Sequence, residues 1–177
     1  FVGEISAEKV GPEDFPEIGC LNRIHNPKKL EGNIQFICQG IKRLKIKRWL
    51  SDKAPFYVEV DYPEEEDGED SEKEIRAYSL ALINAVKELV QTNPLYGEEL
   101  KMYLETFNPK DPSPLADFAA TITTARGAEL QEILATIPLL PRMKKVLPLL
   151  HKELQITRLQ SEIRGEGNKK IRKRQRE

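Results

Sequence analysis

The chain reads as an α+β protein, with a small antiparallel β-sheet or partly open β-barrel followed by an α-helical bundle that ends in a long helix. Three observations predict this class. Up to Asp61, short runs of residues alternate apolar and polar with a period of two, separated by Gly- and Pro-bearing turns with no helix between them. Beyond Tyr62-Pro63 the apolar period lengthens to that of a helix. From Pro141 onward the chain reads as one helix that starts apolar and finishes as a bare charged rod.

In the β-rich part, Phe1–Ile5 is a candidate first strand and Lys9–Phe15 a loop, marked by Gly11-Pro12 and Pro16. Ile18, Cys20, Asn22 and Ile24 alternate with Gly19, Leu21 and Arg23 as a second strand. Asn26-Pro27 and Glu31-Gly32-Asn33 bracket a turn. Ile34, Phe36 and Cys38 share one face of the next strand, and Gly40 marks a bulge or tight bend. Leu44 and Ile46 then alternate with basic residues, and after the Ser51–Pro55 turn Phe56, Val58 and Val60 make the last strand.

Glu64–Asp70 is an acidic run that repels itself and reads as a solvated linker. Ser71 with Glu74 offers both halves of a capping box for a helix carrying Ile75, Tyr78 or Ser79, Leu82, Val86 and Leu89. Asn93-Pro94 stops that helix. A shorter one is expected from Gly97 or Glu98 to Phe107, then one with Leu115, Phe118, Ala119 and Ile122 inward, then Glu129–Ile137. Pro141 suits the first turn of the final helix, where a missing N–H costs nothing. Pro148 either bends that helix or makes Pro141–Leu147 a separate turn before it, and the bend is favoured because Met143, Leu147, Leu150 and Leu154 stay in helical register. The expected organisation is therefore 1–62 β-rich, 63–70 linker, 71–164 bundle and 165–177 basic stem.

Net charge is −1, from 28 basic and 29 acidic residues. That near-cancellation hides acidic crowding over Glu64–Glu74 and basic crowding over Lys42–Lys53 and at the C-terminus. No apolar run approaches a membrane span, and the start has no basic-then-apolar leader pattern. The missing initiator Met and the stop within a charged helix give the expectation of a fragment. Cys20 and Cys38 lack CxxC spacing and read as thiols of a reducing compartment, with a disulfide or a metal pair as the alternative.

Chemistry narrows by elimination. There is no phosphate-binding G-x-x-x-x-G-K-[ST] loop, and no serine sits in a nucleophile motif. His25 and His151 share no ligand spacing with each other or with a cysteine, and Asp61 with Glu64–Glu66 lacks the alternation and forced turn of a cation loop. No catalytic, cofactor or metal residue is assigned. Apolar candidates for contact with a protein substrate are Trp49, Phe56 and Tyr57 around Ala54-Pro55, and Leu95 and Tyr96 after Asn93-Pro94. Lys42, Arg43, Lys45, Lys47 and Arg48 form a basic strand for a polyanion or another subunit, and a nucleic-acid-binding module is one alternative reading. A stand-alone interaction scaffold is another.

A resemblance adds to this. His151–Leu154, Leu159–Ile163 and the closing Arg174-Gln-Arg-Glu177 resemble the stem of Lon, the ATP-dependent serine protease family. Glu17–Ile24, Asn33–Ile46 with Gly40 and Arg43, the helix with Leu115, Ala116, Asp117 and Ala119, and Leu130–Leu134 are similar to successive pieces of its amino-terminal region, a PUA-like barrel and bundle. The family's opening barrel strands are absent, and Gly165-Glu-Gly167-Asn168 interrupts the helix-forming residues of the stem, at about 1 kcal/mol per glycine.

The resemblance implies a parent that degrades misfolded and selected regulatory proteins as a six-membered ring, in bacterial cytoplasm or, as the alternative, the mitochondrial matrix. It also implies an association of the parent with DNA and none with membranes. ATP, Mg and the catalytic Ser–Lys pair would belong to domains beyond Glu177. This region would recognise unfolded or damaged protein and help assemble and gate the ring.

Overall fold

The computed structural model describes residues 9–68, 71–92, 107–108 and 110–174. The expected strand Phe1–Ile5 and the expected helix before Phe107 lie outside them. The chain divides into two compact units, residues 9–66 with Leu134–Ile137, and the described parts of 67–133 and 138–174.

In the first unit, three strands form an antiparallel meander in the order β1–β2–β3: β1 is Ile18–Leu30, β2 Asn33–Trp49 and β3 Val58–Asp61. Glu31 and Gly32 make the hairpin turn, both at positive φ (47° and 86°), the twist that a two-residue hairpin loop requires. Asn26-Pro27 is not a turn. It lies inside β1 at a register shift between His25 and Lys28, with Asn26 at φ 49°, so the strand continues to Leu30.

The two strands expected on either side of Gly40 are one. Leu21 pairs with Lys42 and Asn22 with Gly40, which leaves Ile41 as the bulged residue. A Cβ on Gly40 would lie 3.3 Å from Cys20 Sγ, close enough that the thiol would have to give by a few tenths of an ångström.

The expectation of a partly open barrel is corrected to an open sheet. Closure requires the outer strands to be tied round to each other. The four-residue β3 pairs only with Lys45–Trp49, and the rest of β2 has β1 alone as its partner among the described residues.

The second unit is helical. Helices α1 (Glu72–Thr92), α2 (Ser113–Thr121), α3 (Gly127–Ala135) and α4 (Leu139–Arg174) are described. Helix α4 packs against α1 and α2, and α1 against α2. Leu82, Val86 and Leu89 from α1, Leu115, Ala116 and Ala119 from α2, and Met143, Val146 and Leu150 from α4 are all fully buried. Each larger aliphatic among them is worth about 1.5–3 kcal/mol of burial. That packing carries α4 on past Pro148 without a break, although the lost hydrogen bond and ring clash there cost about 3 kcal/mol. The helix also runs through Gly165 and Gly167 to Arg174.

Two end contacts depart from the sequence reading. Asp67 is not part of a solvated run, because its carboxylate accepts the Leu139 and Leu140 N–H groups (3.1 and 2.9 Å) and so caps α4. The Ser71–Glu74 pair does not close as a box. The Ser71 hydroxyl donates to the Gly68 carbonyl (2.6 Å), and the Glu74 carboxylate meets Lys144 Nζ (2.8 Å). Arg142 is fully buried, its Nη2 donating to Ser113 Oγ (2.7 Å) and its Nε 3.5 Å from Asp117 Oδ1. Glu153, also buried, accepts the N–H and hydroxyl of Thr124 (2.9 and 2.7 Å), tying the loop after α2 to α4.

Candidate functional site

The residues singled out for substrate contact separate into two kinds. Trp49 and Phe56 close on Phe15 in a trio of rings, with centroids 5.3–5.7 Å apart and tilted or edge-on packing. They are half-buried and form a small core at the end of the sheet. Tyr57 stands outside it, 61% exposed, beside Leu50 at 58%. Leu50 N–H donates to the Tyr57 carbonyl (2.8 Å), and Tyr57 N–H donates to Ser51 Oγ (2.8 Å), so the two side chains are carried on one pinned turn. Leu50 was missed in the sequence, although it adjoins Trp49 at the strand end. Leu95 and Tyr96 lie outside the described residues.

More apolar surface lies along the hairpin. Ile24, Ile34, Phe36, Ile37 and Ile41 are each about half exposed or more. Ile24 pairs with Cys38, which places Ile24 on the same face as Phe36 and Ile34. An apolar stripe of this kind on a solvated sheet is the surface that contact with unfolded protein calls for.

The basic strand does not act as one patch. Lys45 pairs with Glu17 (3.1 Å), Lys47 with Glu59 and Asp61 (3.9 and 3.5 Å), and Arg48 with Glu59 (2.7 Å). Lys42 Nζ lies over the Tyr62 ring, 5.3 Å from its centroid. Arg43 is turned inward, its Nε donating to the Leu134 carbonyl (3.0 Å) and its Nη1 3.8 Å from Glu65. With an acid beside most of the cations, the strand lacks the concentrated positive field that phosphate binding uses.

In the second unit two adjoining depressions, of about 340 and 460 Å³, lie between α1 and α4 and share His151 and Gln155. One is lined by Tyr78, Lys144, Leu147, Pro148 and Lys152, the other by Asn84, Glu88, Leu154 and Arg158. Lys144 has its pKa raised above the ordinary lysine value, first by the hydrogen bond it donates to the Glu74 carboxylate, against an opposing effect of desolvation. Among the described residues no three His, Cys, Asp or Glu side chains gather as metal ligands, and no helix is long and apolar enough to cross a membrane.

Residues 2–152 match the family described as the ATP-dependent protease La (LON) substrate-binding domain. The chain belongs to this family. It is 45% identical over 170 residues to Lon protease 2 of Hydrogenovibrio crunogenus, covering 96% of this chain and 19% of that protein. To Lon protease 1 of Syntrophotalea carbinolica it is 40% identical over 166 residues, 93% of this chain and 20% of that one. The chain thus spans about a fifth of the length of these curated relatives. The N-terminal domain of the Mycobacterium avium complex Lon protease has the same fold, with a TM-score of 0.63 at 21% identity over 77% of this chain and 71% of that one.

The Lon-like motifs have structural work to do here. Gly40 admits Cys20, Arg43 holds the Leu134 carbonyl, and in Leu115-Ala116-Asp117 the first two fill the bundle while Asp117 faces the buried Arg142.

Proposed function

We propose that this chain is the non-catalytic substrate-recognition region of an ATP-dependent serine protease of the Lon type. The observation that carries the reading is the match of residues 2–152 to the Lon substrate-binding domain. The exposed apolar stripe of the hairpin and the Leu50–Tyr57 turn support it, since contact with side chains that folded proteins hide gives affinity without a fixed sequence. In this reading the chain captures misfolded or selected regulatory proteins in the cytoplasm. It also helps position them above a six-membered ring whose ATP, Mg and catalytic Ser–Lys pair belong to other domains. Helix α4, continuing to Arg174 past the buried bundle positions, supports the part of stem towards an ATPase.

The test takes the full 177-residue chain. It should retain a permanently unfolded, carboxymethylated protein on a column while the native form of that protein passes through, and it should hydrolyse neither ATP nor peptide. Turnover of either substrate, or equal retention of native and unfolded forms, contradicts the proposal. The neutralised basic strand leaves nothing specific to favour the nucleic-acid alternative.

A further inference from the structure

The trench between α1 and α4 has a character distinct from the apolar hairpin. From Lys144 to Arg158 it follows α4 for about 21 Å at 1.5 Å per residue. That length accommodates about six residues of extended peptide at 3.3 Å each. Its lysine, arginine and carboxylate lining is Lys144, Lys152 and Arg158 against Glu88, an excess of two positive charges that falls to one when Glu74, the partner of Lys144, is counted.

Lys144 and Arg158 are committed to Glu74 and Glu88, whereas Lys152 has no partner among the described residues. The same holds for His151, Asn84 and Gln155, so side-chain groups able to bond a peptide main chain stand free on both walls. Leu147 and Pro148 give one end an apolar floor, beside which the Tyr78 ring lies under Lys144 Nζ, 5.8 Å from its centroid.

We infer that this trench binds an extended acidic segment of a protein substrate. An apolar side chain seats over Leu147 and Pro148, and a carboxylate meets Lys152. The inference rests on the recognition reading above and names a substrate class and a second contact site for it. Free amides along an extended path favour main-chain recognition, and the uncommitted lysine sets the preferred charge.

The probe is a fluorescein-labelled seven-residue peptide of alternating leucine and glutamate, with a leucine–lysine counterpart, titrated against the full chain and followed by anisotropy. The acidic peptide should bind at least tenfold more tightly than the basic one. Lys152→Glu and Gln155→Trp, both at exposed positions, should each weaken it at least fivefold with an unchanged circular dichroism spectrum. Higher salt should weaken it further. If carboxymethylated protein still binds but the peptide ignores charge and both substitutions, the trench inference is overturned and the recognition reading stands. If neither ligand binds, both fall.

Discussion

Arg142 and Asp117 provide the sharpest energetic test of the bundle. The guanidinium is fully buried, and the Asp117 side chain beside its Nε keeps 41% of its surface exposed. Asp117→Ala removes a counter-charge from a cation that cannot reach water. Breaking a fully buried pair costs about 3–5 kcal/mol, and the half-open position of Asp117 reduces that to about 2–3 kcal/mol because water screens the lost partner. Arg142→Met in the Asp117→Ala background removes the stranded charge and fills its volume with an apolar chain, so the double variant should recover to within about 1 kcal/mol of the parent.

The helices described all belong largely to the second unit, so urea unfolding followed by circular dichroism at helical wavelengths reports on this region. A cost below about 0.5 kcal/mol for Asp117→Ala refutes the account of the pair. So does a double variant no more stable than Asp117→Ala alone.

Three further outcomes follow from other contacts. Asp67→Ala, which leaves the Leu139 and Leu140 N–H groups without their acceptor, should cost about 1 kcal/mol in the same unfolding assay, while Asp67→Asn, which keeps one acceptor oxygen, should cost less. Gly40→Val should destabilise the first unit through the contact with Cys20 Sγ, and adding Cys20→Ala should recover part of the loss, read by tryptophan fluorescence of Trp49. The raised pKa of Lys144 means that its ion pair with Glu74 is fully present below the unfolded lysine pKa near 10.5 and is lost as pH climbs through the higher folded value. Glu74→Gln should therefore leave stability at pH 11–12 closer to that of the parent than at pH 8, as a pH series of thermal melts would show.

The helical half was readable because burial there follows one period. The positions Leu82, Val86 and Leu89, and Met143, Leu150 and Leu154, named from spacing alone, are buried. Leu159 and Ile163 continue at helical spacing on a face shifted around the axis yet stand exposed, since periodicity shows a face without showing what covers it. The polar members of the interior were not readable. Arg142 and Glu153 look like ordinary surface residues of a charged helix, and Ser113, Asp117 and Thr124, which partner them across the bundle, lie far off in sequence.

In the β-rich half, Asn26-Pro27 and Gly40 carry turn chemistry that the fold uses for bulges within long strands, a choice set by pairing partners remote in sequence. The candidate contact residues were legible as exposed or aromatic types, but whether a ring is a handle or a wedge depends on its neighbours. Trp49 and Phe56 are held by Phe15, and Tyr57 is not among the trio.

The most direct test of the central claim is a titration of the 177-residue chain against one labelled polypeptide prepared twice, once folded and once held unfolded by a destabilising substitution at identical composition. Recognition through apolar contact predicts saturable binding of the unfolded form, at least tenfold tighter than the folded form, and weakened when Leu50 and Tyr57 are both changed to serine. Equal affinity for the two forms, or binding that disappears with salt and ignores Leu50 and Tyr57, would contradict it.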